Sequence, residues 1–142
     1  MAKKPRVLFL CTGNSARSQI AEAILKKYAG EDLEVHSAGM TPKGVNPLTI
    51  KVMEEAGYDL EGHYSKDVSE YLGKMVFAYV IVVCDKAQGS CPAVFPLVAN
   101  RLFWGFDDPA EAEGTEEERM QVFRRVRDEI EARILEWLNT TD

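Results

Sequence analysis

A doubly wound α/β domain with a parallel sheet is the fold class this sequence predicts, on three observations. Short apolar runs alternate with helical patterns, as strand–helix–strand units require. One run, Val80-Ile81-Val82-Val83, is continuously apolar, which implies burial on both faces. Glycine, asparagine or proline punctuates the junctions between segments.

Each element has its own signal. Arg6 to Cys11 is a short apolar run broken by Gly13 and Asn14, a buried strand entering a tight loop. Ile20, Ala23, Ile24 and Tyr28 recur at helical spacing, with Gly30 as the closing cap. Leu33 to Ala38 reads as a second strand stopped by Gly39. Leu48, Val52, Met53 and Ala56 mark a helix begun near Pro47 and ended by Gly57. Val76 to Cys84 is the strongest strand, and a Gly- and Pro-containing loop follows from Asp85 to about Pro96. A last helix is expected from about Thr115 to Leu138, with Met120, Phe123, Val126, Ile130, Ile134 and Trp137 or Leu138 on one stripe. Thr115 and Glu118 form a capping box at its start. The acidic cluster Glu111 to Glu118 reads as a solvated helix start favoured by the helix dipole.

The 142 residues support one domain, 1–142, with no internal repeat or linker. Seventeen Lys and Arg against 23 Asp and Glu leave a formal charge of −6, which argues against a nucleic-acid partner. The longest apolar run, Phe77 to Cys84, is too short to span a bilayer. Lys3, Lys4 and Arg6 before Val7 to Leu10 imitate a signal peptide, but Thr12-Gly13-Asn14 ends the run too early. The expectation is a cytoplasmic protein with no membrane contact. Its three cysteines, at 11, 84 and 91, are an odd set suited to reduced thiols used for packing, metal binding or chemistry.

The stretch Cys11-Thr12-Gly13-Asn14-Ser15-Ala16-Arg17-Ser18 carries the chemistry. Between a strand and a helix, successive backbone N–H groups converge on one point, and the helix N-terminus adds positive potential. That is a cradle for a tetrahedral oxyanion. Cys11 at its base would be held as a nucleophilic thiolate, Arg17 would offer a planar fork to two anion oxygens, and Asn14 tolerates a left-handed backbone. The loop lacks the Gly-Lys-Ser/Thr ending of a Walker phosphate loop. A buried structural cysteine is the competing reading of Cys11. For Cys84 and Cys91 the rivals are unrelated packing or zinc, and zinc is disfavoured because no Cys-x-x-Cys occurs and only two His exist. A disulfide between them would need the intervening loop to fold back, bringing the α-carbons within about 7 Å.

The loop resembles that of the low-molecular-weight protein tyrosine phosphatase superfamily, and with Gln19 after Ser18 it is closer to the thioredoxin-coupled arsenate reductase branch. Ser37-Ala38-Gly39, His63-x-Ser65-Lys66 and Trp104-Gly105-Phe106-Asp107-Asp108-Pro109 extend the resemblance along nearly the whole chain. Phosphatases of the group usually have Pro at the position of Gln19 and an aromatic at that of Ala110. The reductase pattern usually has Gly where this chain has Asp85 and an acid where it has Ala78; Ala16 replaces a frequent Cys.

The resemblance implies a single three-layer domain whose four-stranded parallel sheet is flanked by helices. It also implies arsenate bound by Thr12, Gly13, Asn14, Ser15, Ala16, Arg17 and Ser18, with Cys11 as nucleophile. Asp108 would act as the acid (Asp107 being the other candidate), and Ser18 would hydrogen-bond the Cys11 thiolate. Cys84 would take up a disulfide with Cys11 and pass it on to Cys91, leaving Cys84–Cys91 for thioredoxin to reduce. No organic cofactor is implied, though some such reductases bind potassium, at positions matching Asn14, Glu22, Ser37 and Asp67. Two other readings stay open: a phosphatase for phosphotyrosine or small phosphate esters using Cys11, Arg17 and Asp108 alone, and a non-enzymatic oxyanion-binding or redox-sensing module. His36 and His63 are expected to be hydrogen-bonded structural residues, and Trp104 and Phe106 to pack beneath the acid-bearing loop.

Overall fold

A computed structural model describes residues 4–60, 62–71, 74–83 and 98–140. Four parallel strands, β1 (Arg6–Cys11), β2 (Glu34–Gly39), β3 (Phe77–Val82) and β4 (Val98–Phe103), lie in the order β2-β1-β3-β4. Three helices, α1 (Arg17–Ala29), α2 (Pro47–Glu55) and α3 (Glu116–Thr140), pack against one another, and α1 lies on β1 and β2. The doubly wound α/β expectation and its four parallel strands therefore hold.

Val7 to Leu10 of β1 are fully buried, and Val80, Ile81 and Val82 of β3 nearly so. Side chains alternate across a strand, so this burial means both faces of the central strands are covered. On one face Tyr79 meets Trp137 of α3 edge-on at 5.1 Å, and Trp104 bridges Phe9 and Trp137 at 6.2 and 5.8 Å. Trp104, three residues before Asp107, is thus a buried packing residue.

The helix ends follow local chemistry. Asn46 caps α2 by accepting the Leu48 N–H at 2.9 Å, with Pro47 in the first turn. Gly57 (φ 88°) supplies the left-handed residue that lets Tyr58 N–H reach Met53 O and Gly57 N–H reach Glu54 O. Thr115 and Glu118 exchange reciprocal backbone-to-side-chain bonds at 3.1 Å, the predicted capping box. The predicted stripe of α3 is the buried one, and of its two candidate end residues Trp137 is buried and Leu138 only partly so.

Three boundaries differ from expectation. Helix α1 begins at Arg17, a turn before its apolar periodicity, because polar side chains of its first turn are buried in the site. Strand β3 ends at Val82, one residue before Val83, whose N–H still bonds Leu10 O at 2.9 Å, and Cys84, the expected end, lies outside the described residues. Strand β4 has no residue-level signal: Asn100 and Arg101 interrupt its apolar character, which an edge strand tolerates. Among the described residues, no helix is long and apolar enough to cross a membrane.

Candidate active site

The site forms where β1 hands over to α1. Helix α1 has no side-chain cap: Ala16 holds the N-cap position at φ −131°, ψ −80°. The N–H groups of a first turn need partners, and without a capping side chain they are available to an anion. Asn14 is in the left-handed region at φ 48°, as its residue type allows, and its N–H points back at Cys11 Sγ at 3.2 Å.

A second segment holds the loop from outside. Met40, Thr41, Lys43 and Asn46 donate backbone N–H groups to the carbonyls of Cys11, Thr12, Gly13 and Ser15 at 2.8–3.3 Å, and Thr49 Oγ1 adds a bond to Ser15 O at 3.1 Å. Tying the carbonyls outward turns the amide edge of the loop inward. The approach is close enough to require Gly39, where a Cβ would stand 2.7 Å from both Asn14 N and Thr12 O.

Asn14, fully buried, organises the loop from within. Its Oδ1 accepts the Lys66 backbone N–H at 2.8 Å and Gln19 Nε2 at 3.0 Å. A backbone N–H can only donate, so this fixes the amide orientation and directs Nδ2 to Ser18 Oγ at 2.7 Å and Ser37 Oγ at 3.0 Å. The Ser18 oxygen therefore receives a hydrogen from Asn14, and its own hydrogen is available to a Cys11 thiolate, whose Sγ is 2.8 Å away. Cys11 is buried, as a structural cysteine would be, yet it lines the anion cavity and takes two hydrogen bonds at sulfur.

That cavity, about 270 Å³, is lined by Cys11, Thr12, Gly13, Ser15, Ala16 and Arg17 of the loop, with Lys43, Asp108, Ala110 and Glu111 around its mouth. Arg17 is 2% exposed, anchored by an Nη1–H bond to Phe106 O at 3.1 Å. Its Nη2 lies 3.5 Å from Asp108 Oδ2. The other Asp108 oxygen accepts the Ala110 N–H at 3.0 Å, capping the 3-10 turn Pro109–Glu111. Asp108 is thus fixed by one oxygen and faces the cavity with the other. Asp107 turns away to Arg125 of α3, Nη2 to Oδ2 at 3.1 Å. A larger depression of about 940 Å³ lies elsewhere, between the end of α1 and β2, and its lining contains no cysteine or arginine.

Behind the loop stands a buried polar layer. Gln19 Nε2 faces the oxygens of Asn14 and Tyr64, leaving Oε1 to accept from His63 Nδ1 at 3.0 Å, so that ring nitrogen carries the hydrogen. Burial lowers the His63 pKa, Lys26 and Lys66 add to the effect, and the charges of Glu22 and Asp59 oppose it. His36 pairs with Glu34 Oε2 at 2.8 Å, so both histidines have the structural hydrogen bonds expected of them. Glu22 receives Ser37 Oγ and Lys26 Nζ, with Lys66 Nζ at 3.4 Å. Burial pushes the Glu22 pKa up, but the bonds from Lys26 and Ser37 and the two lysine charges bring it below its ordinary value.

The positions matched to potassium do not form a cation cage. Asn14 presents its NH₂ group, not its oxygen, to Ser37; Glu22 is held by Ser37 and two lysines; and Asp67 caps the 3-10 turn Val68–Glu70 through Ser69 N–H at 2.8 Å. These residues do not fit the ion, because their oxygens are already committed to N–H and O–H donors.

Cys84 and Cys91 lie outside the described residues. The structure adds Lys43, Ala110 and Glu111 at the cavity mouth, which the sequence reading had not placed in the site. Lys43 comes from a loop 30 residues from Gly13, and no local pattern marks it.

Comparison with known proteins agrees with this architecture. An arsenate reductase of Halalkalibacterium halodurans is 47% identical over 137 residues, covering 96% of this chain and 97% of that one. A solved arsenate reductase in its phosphate-binding state has a TM-score of 0.74 at 27% identity, covering 97% and 99% of the two chains. A thioredoxin-dependent arsenate reductase of Corynebacterium glutamicum has a TM-score of 0.71 at 30% identity, and the match covers 98% of this chain and 62% of that longer one. The family of low molecular weight phosphotyrosine protein phosphatases matches residues 6–142, and with the strand–loop–helix cradle of Cys11 to Ser18 in place, this chain belongs to that family.

Proposed function

We propose that this protein reduces arsenate to arsenite with electrons from its own thiols, regenerated by thioredoxin. The observation that carries the reading is the small cavity with Cys11 at its base, Arg17 on its wall and Asp108 at its mouth. It has room for a tetrahedral oxyanion, and among the described residues its rim carries Ala110 where phosphatases of the group usually have an aromatic. Full-length similarity to proteins named arsenate reductase supports reduction as the outcome, and the thioredoxin-dependent relative supports the reductant.

In this mechanism the loop amides and Arg17 bind arsenate, the Cys11 thiolate attacks arsenic, and Asp108 gives a proton to the oxygen that departs as water. The Cys84 thiolate then attacks Cys11 sulfur. The S–As bond breaks, its electron pair stays on arsenic, and arsenite leaves with a Cys11–Cys84 disulfide behind. Cys91 attacks Cys84 and frees Cys11, so the oxidised product is Cys84–Cys91. Two thiols are oxidised for the two electrons gained by arsenic. Thioredoxin restores them, in a compartment that keeps thiols reduced.

The test is arsenate-dependent oxidation of thioredoxin, followed by peptide mapping after one turnover without reductant. Cys84 bridged to Cys91 with Cys11 free is expected, and Cys91→Ser should stop at Cys11–Cys84. The second reading, a phosphatase, is favoured by the family description and uses Cys11, Arg17 and Asp108 alone. Phosphate-ester cleavage unaffected by Cys84→Ser, with no 84–91 bridge formed on arsenate, would establish that reading instead.

A further inference from the structure

Lys66 is buried, 7% exposed, behind the anion loop. Its Nζ lies 3.4 Å from Glu22 Oε1 and 3.3 Å from Tyr64 O, with the Tyr64 ring centroid 5.1 Å away. A carboxylate oxygen and a backbone carbonyl are the hard donors a free monovalent cation takes, and here a covalently attached ammonium has them. The geometry points to Lys66 as a built-in cation that stands in place of potassium, making the support of the catalytic loop independent of that ion.

The contacts run without a break from this charge to the sulfur. Lys66 neutralises Glu22; Glu22 accepts Ser37 Oγ–H; Ser37 accepts Asn14 Nδ2; Asn14 also donates to Ser18; and Ser18 donates to Cys11. Lys26, the other cation on Glu22, is 47% exposed in its side chain and is therefore the more screened of the two. Without Lys66, a buried carboxylate would lose its better-shielded counter-charge, and the serine and asparagine that position Ser18 would lose their fixed acceptor. Lys66 touches no substrate; it is a positioning residue. The inference stands on this geometry whichever oxyanion the loop processes, so a failed arsenate assay leaves it intact.

Thermal midpoints of the full chain in potassium, sodium and choline chloride at matched ionic strength test it, together with the rate of Cys11 alkylation read by peptide mapping. Wild type should show the same midpoint and rate in all three salts. Lys66→Ala, which vacates the ammonium position but keeps its oxygens, should lose midpoint and alkylation rate in choline. Potassium should restore both, by about 3 °C or more in the midpoint at saturating ion. Lys66→Met, which refills the space without charge, should be impaired and not rescued. A merely structural lysine would give no potassium-specific rescue. Potassium-specific stabilisation of wild type, or a Lys66→Ala protein unmoved by potassium, overturns the proposal. If Lys66→Ala does not fold in choline, the readout is its refolding yield in potassium, and no recovery there overturns it equally.

Discussion

Ser18 stands 2.8 Å from Cys11 Sγ and accepts a hydrogen from Asn14 Nδ2 at 2.7 Å, which leaves its own hydrogen for a sulfur anion. The proton order is set two bonds away, by the Lys66 backbone N–H that fixes the Asn14 amide. Hydrogen bonds to a charged acceptor are among the stronger ones in proteins, so the arrangement places a donor where negative charge on an attacking sulfur would sit. Ser18→Ala and Asn14→Ala should each slow Cys11 alkylation at neutral pH by about tenfold, the effect of one lost bond to a charged group. Inorganic phosphate should protect wild-type Cys11 from alkylation, and Cys11→Ser should abolish turnover while leaving the fold intact. Equal alkylation rates in Ser18→Ala and wild type would show that the hydroxyl does not stabilise the sulfur anion.

The two aspartates separate acid from scaffold. Asp108 faces the cavity while Asp107 pairs with Arg125 on the outside. Asp108→Asn should cut turnover by roughly 10²–10⁴-fold, the contribution of a positioned acid, with phosphate protection of Cys11 changed little. Asp107→Asn should lose only an exposed ion pair and keep near-normal turnover. The opposite ranking of kcat would reverse the assignment.

What the sequence made legible was local. The Cys11 to Ser18 loop sits within eight residues, the capping box of Thr115 and Glu118 within four, and the Gly57 helix end in one. Continuous burial of Val7 to Leu10 and of Val80 to Val83 was written in their runs of apolar residues. What stayed hidden depends on distant partners or on departures from periodicity. Arg17, Ser18, Gln19 and Glu22 look like a polar approach to a helix, yet they are its buried first turns, because the site turns them inward. Strand β4 keeps polar residues that an edge position tolerates. Choosing between Asp107 and Asp108 needs the direction of each side chain, which adjacency in sequence does not give. Lys66 reads as part of a family motif, and only the position of its ammonium against Glu22 shows it taking a cation's place.

His63 makes stability pH-dependent. Its pKa is lowered in the folded protein, mainly by burial, so the unfolded chain binds a proton at a higher pH than the native state does. The stabilisation is fully present above the unfolded value of about 6.5 and is lost as pH falls through the lower native value. Midpoints measured from pH 8 down to 5 should therefore decline below about pH 6.5. In His63→Gln, which retains an N–H donor toward Gln19 but has no titrating ring, the part of that decline due to His63 should disappear. A wild-type profile that superimposes on the variant's across this window would show that His63 does not titrate with folding.

Lys43 tests whether the cavity mouth contributes to binding the anion. Its methylene groups lie over Gly13, where an added Cβ would stand 3.3 Å from Lys43 Cδ, and its backbone N–H is bound to Gly13 O at 3.0 Å. Among the described residues its ammonium enters no ion pair, and it shares the cavity mouth with the carboxylates of Asp108 and Glu111. An exposed cation at such a rim acts through screened attraction, so Lys43→Met should raise KM for arsenate by up to about fivefold, the range of an exposed ion pair. The phosphate concentration needed to protect Cys11 should rise by the same factor. Because the charge acts on binding and not on the reacting atoms, kcat should be unchanged, and the gap between variant and wild type should shrink as salt rises and the Debye length falls. A fall in kcat at constant KM would place Lys43 in the chemical step, and a salt-independent effect would trace to its packing over Gly13.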